Sequence, residues 1–92
     1  MNLASPGTLV ISRAGHDKGK AYLVLGESDA GCVLLADGRL KTTAKPKKKK
    51  VMHLQITGRR SEELGRRLAG NGAVQDHEIR KAIADLQNSK EE

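Results

Sequence analysis

The chain contains no phenylalanine and no tryptophan, and Tyr22 is its one aromatic residue. Any core must therefore be built from Leu, Val, Ile and Ala. Stacking of bases on aromatic rings, the usual device of proteins that read single strands, has almost nothing to work with. Cysteine is as scarce. Cys32 stands alone, so no internal disulfide can form, and the expected compartment is the reducing cytoplasm. No apolar run approaches the roughly 20 residues of a membrane span. Residues 1–6 lack both the basic and the apolar regions of a secretory leader, so no membrane partner is expected. CxxC, HExxH and Walker-type patterns are missing, and His16, His53 and His77 are dispersed. The expectation is therefore no enzyme, no metal and no cofactor. With 92 residues there is room for one small domain and an appended segment.

Acidic residues are missing from one long stretch, with none between Gly38 and Ser61. Residues 1–60 hold twelve Lys and Arg against four acids, whereas residues 61–92 hold five bases against seven acids. The net charge of +6 thus belongs to the first two-thirds of the chain. A basic surface of this kind favours a polyanionic partner.

Short apolar runs bounded by turn residues predict strands at residues 8–12, 20–25, 31–36, 39–43 and 51–57. Asp37-Gly38 is the strongest hairpin signal among them. Five strands in under sixty residues predict a small barrel, which removes its own edges. Doublets such as Leu34-Leu35 blur the inward and outward alternation. The last third predicts two helices. Ser61 is a candidate cap for the first, followed by Glu62 and Glu63, with a stop at Gly70-Asn71-Gly72. Asp76 is a candidate cap for the second, in which Ile79, Ile83 and Leu86 form one apolar stripe beside Ala82. That stripe must cover either the barrel or another protein. Residues 88–92 are expected to fray. The predicted organisation is a barrel over residues 1–58 and a helical tail over residues 59–92.

Two segments stand out as candidate binding sites. In Ala14-Gly15-His16-Asp17-Lys18-Gly19-Lys20, two glycines frame a polar turn between strands. Such a loop offers backbone N–H groups and the point charges of Lys18 and Lys20 to phosphate, with Gly19 expected at positive φ. An ordinary turn with solvated lysines fits the same residues. In the second segment, Lys45 and the run Pro46-Lys47-Lys48-Lys49-Lys50 carry charges that repel one another, which predicts an extended loop. Arg13, Arg59 and Arg60 continue the basic edge. Cys32 is expected to act as a small buried hydrophobe and His53 to lie on a strand.

The stretch from Val10 to Leu25, with its GHDKGK loop, resembles the KOW motif of large-subunit ribosomal proteins and Nus-type elongation factors. The Leu34-Leu35-Ala36-Asp37-Gly38 segment, the PKKKK run and the His53-Leu54 pair are similar to the ribosomal branch. Glu78-Ile79-Arg80-Lys81-Ala82-Ile83 resembles the helical signature of small bacterial relatives of those proteins. The resemblance spans residues 7–57, and 76–84 in part. His16 stands where that branch usually has Arg, and Met52 where a Lys often precedes the His-Leu pair. The resemblance implies an SH3-like β-barrel with a short C-terminal helical segment. It also implies non-catalytic, ribosome-associated RNA binding, with ribosomal RNA as partner. The contacts would be Arg13, Gly15, His16, Lys18, Gly19, Lys20, Lys45, Lys47, Lys48, Lys49, Lys50, Arg59 and Arg60. A second reading is a protein-interaction adaptor of the transcription or translation machinery, acting through Ile79, Ile83 and Leu86. Non-specific DNA binding is a third.

Overall fold

β-Branched and leucine-rich segments separated by glycine turns pair into one antiparallel sheet. The computed structural model describes residues 4–70 and 72–88. Its strands are β1 (Thr8–Ser12), β2 (Ala21–Glu27), β3 (Cys32–Ala36), β4 (Lys47–Lys50) and β5 (Leu54–Arg60). A single 3-10 turn, Val51–His53, joins β4 to β5, and helices α1 (Glu62–Ala69) and α2 (Asp76–Asn88) follow. The strand order is β4-β3-β2-β1-β5. The protein is mainly β, with two helices.

The sheet is strongly coiled. β4 and β1 are three places apart in the strand order, which in a flat sheet means roughly 14 Å at about 4.8 Å per strand. Yet Lys49 Nζ on β4 lies 2.9 Å from Ser12 Oγ at the end of β1. Register shifts between Val24 and Gly26, and between Thr8 and Val10, mark bulges that bend and twist the strands. β4 and β5 sit at opposite ends of the strand order, so the hydrogen-bonded ladder does not close.

Coiling gives the sheet two buried faces. Val10, Tyr22, Val24, Val33, Leu35 and Leu54 fill the concave side. Leu9, Leu23 and Ala36, their alternates along the same strands, meet Leu64, Val74, Ile79, Ala82 and Ile83 on the convex side. Leu9, Leu23 and Ala36 are thus buried on the face opposite Val10, Tyr22 and Leu35, so these segments read as continuous apolar runs. The stripe on α2 covers the protein's own sheet. Ile79 is fully buried, Ile83 nearly so, and Leu86 packs at the margin of the same cluster. An adaptor surface made of Ile79, Ile83 and Leu86 is therefore already occupied from within.

Several local expectations need correction. Residues 39–43 form no strand. Asp37 Oδ1 accepts from the Arg39 and Lys41 amides, both at 2.9 Å, and curls the segment into a loop. The fourth strand is instead the lysine run, at an edge where charged side chains are tolerated. The boundary at residue 58 falls inside β5. Ser61 does cap α1, accepting from the Leu64 amide at 3.3 Å, and Gly70 ends that helix. Asn71 and residues 89–92 lie outside the described residues. Asp76 caps nothing. Its Oδ1 accepts from the Thr43 amide at 2.8 Å, tying the 37–46 loop to α2. Glu78 Oε1 accepts from the Gln75 amide at 2.9 Å, the reciprocal half of a capping box. Cys32 is half-buried at the start of β3, and His53 ends the 3-10 turn rather than lying on a strand.

Candidate functional site

The loop over residues 13–20 closes through the pair Ser12 N–H to Lys20 O at 2.9 Å and Gly19 N–H to Ser12 O at 2.8 Å. Within it, the Lys18 amide donates to Gly15 O at 3.2 Å and the Lys20 amide to Asp17 O at 2.9 Å. The amides of Lys18, Gly19 and Lys20 are thus committed inside the turn. This corrects the expectation of a backbone phosphate cradle at these positions; the loop offers side chains instead.

Its one acid points inward. Asp17 is 9% exposed. Its Oδ1 accepts from Ser12 Oγ at 2.8 Å and Lys49 Nζ at 2.9 Å. Its Oδ2 accepts from Tyr22 Oη at 2.9 Å and faces Lys47 Nζ at 3.3 Å. Lys49 also donates to Ala14 O at 2.8 Å and to Ser12 Oγ, which satisfies all three ammonium protons. Desolvation raises the Asp17 pKa, but the bonds from Lys49, Ser12, Tyr22 and Lys47 outweigh it and hold the carboxyl far below the usual carboxylate range. Desolvation, then the Asp17 carboxylate, pushes the Tyr22 phenol well above its ordinary value. Asp17 is therefore locked as an anion and Tyr22 as a neutral donor across the neutral range. The pair is built to hold the loop against β4, not to exchange protons.

Strand register decides what the lysine run does. Lys49 lies opposite Val33 and Lys47 opposite Leu35, both concave-face residues, so these two lysines reach Asp17. Lys48 and Lys50 pair with Leu34 and Cys32 and point outward, exposed. Lys48 forms an ion pair with the exposed Asp29. The run is half structural and half surface.

The arginines divide in the same way. Arg59 donates through Nη1 to Leu86 O at 2.8 Å, near the C-terminal end of α2, and Arg60 donates through Nε to Pro6 O at 3.0 Å. Both tie the chain together. Arg13, His16, Lys18, Lys20 and Lys45 are exposed, as is Gly15. The structure thus brings Lys47 and Lys49 to the 15–20 loop while turning their charges onto Asp17. The sequence reading missed Asp17 and its partners Ser12 and Tyr22. The one available signal was a lone acid inside an otherwise basic loop.

Gly19 has φ 92° and an ideal Cβ there would meet nothing within 4 Å. Any cost of substitution is then backbone strain alone, about 1–2 kcal/mol for Gly19→Ala. We expect a thermal midpoint lowered by roughly 4–16 °C for a domain of this size. Gly26, which lacks positive φ and has equal room, should tolerate Ala with a smaller loss. Equal melting shifts for the two variants would contradict this.

Among the described residues no three His, Cys, Asp or Glu side chains gather as metal ligands would, and no helix is long and apolar enough to cross a membrane. Comparison with known protein families and with curated proteins finds no match to this chain.

Proposed function

We propose that the chain is a non-catalytic RNA-binding protein of the KOW kind, associated with the ribosome and gripping ribosomal RNA by its phosphates. One observation carries this reading: the only acid of the 13–20 loop is buried and neutralised by Lys47 and Lys49. The outer surface of the loop is left with Arg13, His16, Lys18 and Lys20 and no opposing carboxylate of its own. Clustered, exposed cations without local counter-charges suit phosphate contact through counterion release. Lys45, on the loop before the neighbouring edge strand, and Lys50, at its end, add exposed positive charge, while Lys48 is paired with Asp29. The scarcity of aromatic side chains supports a grip on backbone and shape over base stacking. The coiled sheet, with a single 3-10 turn leading from one edge strand to the other, supports an SH3-like barrel as its finer classification.

Sucrose-gradient sedimentation of the tagged full chain tests the ribosomal assignment. The protein should travel with large subunits at low salt and return to the top fractions at high salt. Failure to enter the ribosomal fractions at low salt would contradict it.

A further inference from the structure

A cleft of about 310 Å³ opens between the sheet, the loop after β3 and α2. Its volume lies at the lower end of the small-ligand range, about 300–1,000 Å³. Lys20, Arg39 and Arg80 bring three cations to its walls, against the single carboxylate of Asp37. Ala21, Ile83 and Ala84 provide an apolar floor, and Gln87 adds an amide that can both donate and accept.

The wall formed by the loop is set in place before any ligand arrives. Asp37 Oδ1 holds the Arg39 and Lys41 amides, Asp76 Oδ1 holds the Thr43 amide, and Arg80 Nη1 donates to Gly38 O at 2.6 Å. Gly38 lies so close to α2 that an added Cβ would sit 2.5 Å from Asp76 O. The bond to Gly38 uses one of the five N–H donors of the Arg80 guanidinium, leaving the others for an anion. A wall fixed in this way loses little ordering entropy on binding.

We propose that this cleft holds one unpaired nucleotide of an RNA. Its phosphate lies among Lys20, Arg39 and Arg80, its base rests on the Ala21, Ile83 and Ala84 floor, and Gln87 meets the base edge. The combination of a phosphate-binding rim and an apolar, amide-bearing floor fits a nucleotide better than a bare anion, which has no use for the floor. A guanidinium plane such as that of Arg39 can cover a base where no aromatic ring is available. The inference rests on the RNA-binding reading, and it adds that paired and unpaired RNA are distinguished. Lys20 borders both the 13–20 loop and the cleft, so one strand can run from the first to the second.

The test uses the full chain and two variants. Ala84→Leu fills the floor at an exposed helical position, keeps every charge and preserves helix propensity. Arg39→Gln removes one cation from the rim. Titration with adenosine and uridine 5′-monophosphate should give saturable amide shifts at Ala21, Arg39, Ala84 and Gln87, weakened in both variants. Ala84→Leu should weaken binding of a hairpin RNA with an unpaired loop by about fivefold or more, the low end of what one stacked base contributes. Binding of a blunt duplex should stay as it is. Absence of saturable shifts with either nucleotide, or equal loss on hairpin and duplex, would overturn the inference. Nucleotide shifts confined to the cleft together with no binding of either RNA would sustain the cleft and remove the RNA-binding reading instead.

Discussion

Asp17→Ala should cost about 3–5 kcal/mol of folding stability, the usual penalty for leaving a buried charge without its partner. Lys49 has a side chain only 11% exposed, and it would lose its counter-ion while remaining pinned beneath the loop. Tyr22 Oη would lose its acceptor in the same stroke, and Ser12 Oγ the nearer of its two. At roughly 4–8 °C per kcal/mol for a domain of this length, the midpoint should drop by about 12 °C or more. Lys48→Ala, which breaks a pair standing in solvent, should leave the midpoint nearly in place. The acid limb reads the same group. Because the folded Asp17 carboxyl sits below its usual 3.8, its contribution is complete above that pH and is lost as the pH falls below it. Glu78, held at about 2 by Arg67 rather than at 4.5, adds a loss that begins slightly higher. On the alkaline side, the raised Tyr22 pKa means stability declines as pH rises beyond 10. Denaturant melts of the native chain and of Asp17→Asn from pH 2 to 6 should show a shallower acid limb in the variant. Parallel limbs would mean that Asp17 is not the buried anion described here.

Removal of residues 61–92 should unfold the rest of the chain. The tail supplies Leu64, Val74, Ile79, Ala82 and Ile83 to the convex core, and without them Leu9, Leu23 and Ala36 face water. Burial of Leu64, Ile79 and Ile83 alone contributes about 5–9 kcal/mol at roughly 1.5–3 kcal/mol each. That is comparable to the whole stability of a small domain, about 5–15 kcal/mol. The fragment should show a collapsed amide spectrum and no cooperative melt. A fragment over residues 1–60 that melted like the full chain would show that the helices are an accessory and not part of the core.

The helical third was legible because its signals are local. Ser61 followed by two glutamates, and Ile79, Ile83 and Leu86 at helical spacing, need no knowledge of the rest of the chain. Strands β1, β2 and β3 were legible in position but not in facing. Leu9-Val10 and Leu23-Val24 defy alternation because helices cover the face that an ordinary sheet gives to water, whereas Leu34 beside Leu35 stays half-buried on the outer face. The fourth strand was misplaced for a non-local reason. Four lysines repel one another and have poor β propensity, yet opposite β3 their register brings Lys47 and Lys49 to a common carboxylate. Nothing within residues 45–50 announces a counter-charge at residue 17. The candidate loop was found through its glycines and lysines, but its organising residue, Asp17, depends on Ser12, Tyr22, Lys47 and Lys49. Those residues meet only once the sheet has coiled.

Under the proposed function, burial of Asp17 leaves a loop of unopposed cations to grip RNA phosphate. The most direct test is the slope of log affinity against log salt for the native chain and for Lys18→Gln/Lys20→Gln. Both lysines are exposed, so the fold should be unaffected. Loss of two phosphate contacts should flatten the slope by about 1.4–1.8, at roughly 0.7–0.9 per contact, and weaken binding at physiological salt. An unchanged slope, with RNA still bound, would contradict the account.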